Sequence, residues 1–139
     1  MSKISIFTDG GARGNPGPAA LGVYIEDDNK KELTRIGKKL GEATNNFAEY
    51  SAIIEGFSWV IKNKNKFNIE SINLYTDSQL AYSQLSGLYK VKDGKIRELV
   101  FKIRQQEAEI KAPIFYNHIP REENKKADFM VNLALDNKL

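Results

Sequence analysis

The chain has 139 residues, a net charge of +3 and no cysteine, with 41% hydrophobic and 28% charged residues. That length and balance fit one globular domain able to bury a core. The lack of cysteine excludes disulfides, thiol nucleophiles and zinc–thiolate sites, and no apolar run approaches the roughly 20 residues of a membrane span.

Met1-Ser2-Lys3 leads straight into a strand pattern, so no signal peptide is visible and a cytoplasmic protein is expected. A pI near 9.0 is compatible with a polyanionic partner without requiring one. The lysine clusters at Lys30-Lys31, Lys38-Lys39, Lys62-Lys64-Lys66 and Lys90-Lys92-Lys95 each read singly as a solvated surface.

Residues 3–9 read as a first strand, and residues 10–18, rich in glycine and proline, as a loop without regular structure. Residues 20–26 and 32–39 read as second and third strands joined by a turn at 27–30. A helix follows, capped by Asn45 or Asn46, with Phe47, Tyr50, Ile53, Ile54, Phe57 and Ile61 at helical spacing. Residues 71–76 read as a fourth strand, 78–85 as a short helix and 95–110 as a longer amphipathic one. Residues 113–119 read as a fifth strand. A last helix spans 122–137, with Ala127, Met130, Val131, Ala134 and Leu135 facing inward.

Short links make the first three strands antiparallel, whereas helical crossovers make the later ones parallel to strand one. The predicted fold is α/β: a mixed five-stranded sheet flanked by about four helices, forming a single domain over residues 1–139.

Four carboxylates stand out against this pattern. Asp9 and Asp77 end apolar strand runs, and so emerge at the carboxyl ends of two parallel strands, where open α/β sheets place ligands. Glu49 shares a helix face with Ile53, Phe57 and Val60, and Asp128 lies on the apolar stripe of the last helix. Each has a bland reading. Asp9-Gly10 is a common turn pair, Asp77 could cap the following helix, Glu49 could favour the helix dipole, and Asp128, close after two lysines, could be solvated. Together they read as a metal site, because carboxylates crowded near a core repel and lose hydration unless cations join them. All-oxygen ligation selects hard ions, magnesium or manganese. Two such ions roughly 4 Å apart suit phosphodiester hydrolysis.

Four segments in order carry a resemblance over nearly the whole chain. They are Thr8-Asp9-Gly10-Gly11 with Asn15-Pro16-Gly17-Pro18-Ala19; Thr44-Asn45-Asn46-Phe47-Ala48-Glu49; Tyr75-Thr76-Asp77-Ser78-Gln79; and His118 through Asn124 to Asp128. The chain resembles ribonuclease H of the type 1 class. The resemblance implies the ribonuclease H-like fold and a two-metal-ion endonuclease that cuts the RNA strand of RNA–DNA hybrids, leaving 3′-hydroxyl and 5′-phosphate ends. Its cofactor would be two Mg2+, with Mn2+ a substitute, and the protein would be a monomer. By the same resemblance Asp9 would bridge both ions, Glu49 would hold the ion on the leaving-group side near the ribose 2′-hydroxyl, Asp77 would ligate the ion that activates water, and Asp128 would complete that ion's shell. His118, the only histidine, would relay a proton or help to clear product. Gly10, Gly11, Ala12, Asn15, Asn45, Asn46 and Gln79 would line the hybrid groove. Thr44 with Asn46 would hold a DNA-strand phosphate, and Asn124 would lie near the second metal.

Two departures from the family pattern matter. Pro120 stands in a segment where many relatives have glycine, which implies a stiffer loop after His118. Residues 87–95 are too short for the basic handle of many relatives, so weaker hybrid binding is expected, with Lys90, Lys92 and Lys95 compensating in part. The alternatives are another enzyme on the same scaffold, such as a double-stranded RNA nuclease or a DNA transferase or resolvase relative, and a non-catalytic nucleic-acid-binding module.

Overall fold

The computed structural model describes residues 2–139. Strands β1 (Ser2–Ala12), β2 (Gly17–Glu26) and β3 (Glu32–Ala43) form an antiparallel meander. Strands β4 (Ile69–Thr76) and β5 (Ile114–His118) join it in parallel, giving the order β3-β2-β1-β4-β5. The mixed five-stranded sheet expected from the connection lengths is the one observed.

The expected loop at 10–18 is much shorter than glycine content suggests. Gly10, Gly11 and Ala12 continue β1 opposite Leu21, Ala20 and Ala19, and Gly17 and Pro18 already belong to β2. Ladder pairing holds the glycines extended although their own conformational freedom would release them. Pro18 is tolerated at the start of its strand, where its carbonyl still accepts from Arg13 N at 2.8 Å. The third strand likewise runs past Lys39 to Ala43, beyond a bulge opposite Ala19 and Ala20.

Helix α1 (Asn45–Asn63) is capped not by Asn45 or Asn46 but by Thr44, whose Oγ1 accepts from Phe47 N at 3.1 Å. Helix α2 (Gln79–Leu85) begins at Ser78, whose hydroxyl accepts from Ala81 N, so Asp77 is not its cap. Helix α3 (Gly94–Ile110) is capped by Asp93. Helix α4 spans Lys125–Leu135, shorter at both ends than expected: Arg121–Glu123 form a 3₁₀ turn, and Asn137 has left-handed backbone at φ +56°.

Alternation along the strands sorts the helices onto two faces. Ile4, Ile6, Val23, Ile25, Ile72 and Leu74 pack with Ile53 and Phe57 of α1 and Ile103 of α3 in the main core. Ala20, on the other face, packs with Val131 and Ala134 of α4. Gly22 lets α4 lie directly on the sheet, since a Cβ there would stand 2.1 Å from the Ala127 carbonyl oxygen.

Candidate metal centre

β1 and β4 stay in register as far as the pair Thr8 and Thr76. Beyond it β1 continues against β2 while β4 ends. Asp9 and Asp77 are the next residues, so they emerge side by side where the sheet splays. Glu49 enters this gap from the second turn of α1. Gly10 N–H, with no β4 residue opposite, donates to Glu49 Oε1 at 2.8 Å and to Asp9 Oδ1 at 3.0 Å. Thr76 Oγ1 donates to Glu49 Oε2 at 3.4 Å. The approach of α1 requires glycine at position 10, where a Cβ would lie 2.2 Å from the Ala48 carbonyl carbon.

Oxygens of Asp9, Glu49 and Asp77 lie within 4.8 Å of one another. Asp9 is 5% exposed and Glu49 7%. Burial, together with repulsion from Asp77 and Asp128, pushes the Asp9 carboxyl up from 3.8 to about 7. Burial and the charges of Asp9 and Asp77 push Glu49 well above the ordinary carboxylate range. Asp128, in the first turn of α4, is half-buried and stands outside the tight trio, near enough to Asp9 to raise its pKa by contact and charge. All four carboxylates line one cavity of about 490 Å³.

Among the described residues none of the four is in an ion pair, and Arg13 at the cavity wall is bound to Asp136 at 2.6 Å. A cluster of buried hard oxygens without a protein cation fits a divalent metal ion.

The remaining sequence candidates fall into three groups. Gly10, Gly11, Ala12, Asn45 and Asn46 line the same cavity. The N–H groups of Gly10 and Ala12 are occupied, the latter by Asn45 Oδ1 at 2.8 Å, so they are not free donors. Asn15 and Thr44 join Asn45, Asn46 and Lys95 in a neighbouring depression, with Asn15 Oδ1 accepting from Asn45 N. Gln79 is exposed at the start of α2 and lines neither, although Ser78 beside it is part of the cavity wall. Asn124 is 1% exposed; its amide donates to Thr8 O at 2.8 Å and to Asp77 Oδ2 at 3.3 Å, supporting Asp77 from behind. His118 is exposed at the end of β5, opposite Thr76, with its ring 6.0 Å from that of Tyr82. The segment after it is tied to the sheet by Ile119 N–H donating to Thr76 O at 3.0 Å.

Sequence reading misses Thr76 as the support of Glu49, and Arg13, Ser78, Arg121 and Asn132 as cavity wall. Asn132, four residues after Asp128 on one helix face, is the one that spacing could have found. The two arginines lie in links where basic residues ordinarily read as solvated.

The family model described as RNase H matches residues 1–135. The chain is 34% identical over 135 residues to "Ribonuclease HI" of Halobacterium salinarum, covering 96% of this chain and 65% of that protein. It is equally identical to "Bifunctional protein Rv2228c" of Mycobacterium tuberculosis, covering 36% of it. The chain thus spans about a third of the mycobacterial relative's length and just under two thirds of the halobacterial one's. In structure it is similar to LC11-RNase H1, crystallised in complex with RNA/DNA hybrid: the TM-score is 0.91 at 40% identity, covering 96% of this chain and 97% of that one.

Proposed function

The chain belongs to the RNase H family, type 1 class, and on that premise we propose that it is an endoribonuclease hydrolysing the RNA strand of RNA–DNA hybrids, leaving 3′-hydroxyl and 5′-phosphate ends. The observation that carries the reading is the meeting of Asp9, Glu49 and Asp77 within 4.8 Å, unpaired by any cation among the described residues, at a sheet end open to a cavity. Residues 1–139 act as one domain, monomeric and cytoplasmic.

Asp9, Glu49, Asp77 and Asp128 would hold two Mg2+, with Mn2+ as substitute. When bound, the ions supply the charge that lowers the pKa of an attacking water and steadies the leaving oxygen of a phosphodiester. The chain's own residues do the rest. Asp9, close enough to both Asp77 and Asp128 for each to raise its pKa, would be the ligand at the middle of this group. Gly10 N–H and the Thr76 hydroxyl fix both oxygens of Glu49, and the Asn124 amide fixes Asp77, so little reorganisation accompanies the reaction. Asn46, exposed beside this centre, offers donor and acceptor to the minor groove, where a 2′-hydroxyl distinguishes RNA from DNA. Thr44 with Asn46 in the adjoining depression, beside Asn15, suits a phosphate of the other strand. His118, free at the end of β5, serves as proton relay.

The test is digestion of end-labelled RNA–DNA hybrid, duplex RNA and duplex DNA side by side, with magnesium, manganese or chelator. Cleavage of hybrid RNA alone, abolished by chelator and by Asp77→Asn, is the expected result. Metal-independent cleavage, or duplex DNA as the preferred substrate, would refute the assignment.

A further inference from the structure

We propose that Arg13 and Asn132 are positioning residues for Asp128, forming with Asp136 a directional hydrogen-bond chain that fixes how this carboxylate faces the metal centre. The proposal rests on the metal-dependent reading above and adds to it the group that orients the fourth ligand.

Asp128, Asn132 and Asp136 recur every four residues along α4 and its C-cap, and so lie on one face. Asn132 Nδ2 donates to the Asp128 carbonyl at 3.2 Å and to its Oδ2 at 3.5 Å. Arg13, just past the end of β1, donates from Nη2 to Asn132 Oδ1 at 3.5 Å and from Nη1 to Asp136 Oδ1 at 2.6 Å. A guanidinium only donates. Asn132 must therefore turn its carbonyl toward Arg13 and its NH2 toward Asp128; the reverse orientation would set donor against donor and acceptor against carboxylate. Asp136 anchors Arg13, Arg13 orients Asn132, and Asn132 holds one oxygen of Asp128.

Asp128 needs such a holder. Glu49 is fixed by Gly10 and Thr76, and Asp77 by Asn124. Asp128 stands outside the tight trio, only half-buried, on a helix whose N-cap makes no side-chain hydrogen bond. The same chain keeps the Arg13 charge on Asp136, beside the cavity but off the metal-binding carboxylates.

The experiment measures Mn2+ binding to the substrate-free protein by electron paramagnetic resonance, with hybrid cleavage against Mg2+ concentration in parallel. Asn132→Ala and Arg13→Gln should each raise the Mn2+ concentration for half-saturation by about tenfold, as loss of a group that orients a ligand does. Melting temperature in chelator should move by no more than about 2 °C, because both sites are at the surface. Arg13→Lys, which also only donates, should recover part of the binding. In an Asp128→Asn background Asn132→Ala should add nothing. Parental Mn2+ binding by both Asn132→Ala and Arg13→Gln overturns the proposal, as does an undiminished Asn132→Ala effect in the Asp128→Asn background. Should Asn132→Ala fail to fold, Arg13→Gln decides alone, since Arg13 is half exposed. Parental Mn2+ binding by Asp9→Asn and Asp77→Asn is the distinct outcome that removes the metal reading itself, and the proposal with it.

Discussion

Replacing Asp9 with asparagine should stabilise the metal-free protein at neutral and alkaline pH while destroying its response to metal. The Asp9 carboxyl is raised from 3.8 to about 7 by burial and by Asp77 and Asp128. A folded-state pKa above the unfolded value means that the folded protein binds more protons between those limits. Metal-free stability therefore falls as pH rises from about 4 to about 7, and the whole penalty is present by pH 8. At 1.36 kcal/mol per pH unit the penalty is about 4 kcal/mol. Asparagine keeps an acceptor for Gly10 N–H, carries no charge and relieves repulsion with both neighbours. Urea denaturation in chelator should show Asp9→Asn exceeding the parent by about 2–4 kcal/mol at pH 8 and by almost nothing at pH 4. Magnesium should close most of this gap, because ligand at a hundredfold excess over Kd adds about 2.7 kcal/mol to the parent, which binds it, and nothing to the variant. A variant no more stable than the parent at pH 8 in chelator would refute the claim that this cluster is electrostatically strained.

Gly10→Ala places a methyl 2.2 Å from the Ala48 backbone and must push α1 off β1. A loss of about 1–3 kcal/mol is expected, seen as a melting temperature lower by roughly 3–10 °C, together with lost cleavage as Glu49 moves; an unchanged melt would show that the helix does not approach as closely as described. Lys95 sits 5.8 Å from the Phe47 ring beside the Asn15, Thr44 and Asn46 depression, and Lys90 and Lys92 are exposed nearby. Replacing all three with alanine should weaken hybrid binding at low salt and reduce the salt slope by up to about 2.7, or about 0.9 for each phosphate that is no longer neutralised; parental binding would remove the idea that this turn compensates for a missing handle.

The sheet is legible in the sequence because apolar runs and link lengths determine pairing sense, and the acids Asp9 and Asp77 are legible because each breaks such a run at its end. Glycine-rich residues 10–12 read as loop, yet strand pairing with β2 overrides local propensity, and propensity is all a single segment displays. The cap of α1 falls one position earlier than expected because Thr44, Asn45 and Asn46 are all good caps; backbone geometry alone selects Thr44, leaving Asn45 to reach Ala12. Asp128 belongs to the expected helix, but its place beside Asp9, outside the trio, depends on how closely α4 lies on Gly22. The Arg13–Asn132 hydrogen bond joins polar residues 119 positions apart, and no periodicity encodes that.

Glu49 has a second consequence. Its carboxylate takes the place that a longer β4 would occupy, receiving the Gly10 amide as a neighbouring strand would. The side chain is thus part of the scaffold as well as of the chemistry. Truncating it takes away the shorter of the two hydrogen bonds of the Gly10 amide and the acceptor of the Thr76 hydroxyl at the fork of the sheet, whereas Asp77, held through the Asn124 amide, can surrender its charge without unravelling anything. An engineer wanting an inert version that still grips its polymer should therefore disarm the chain at position 77 and leave position 49 alone.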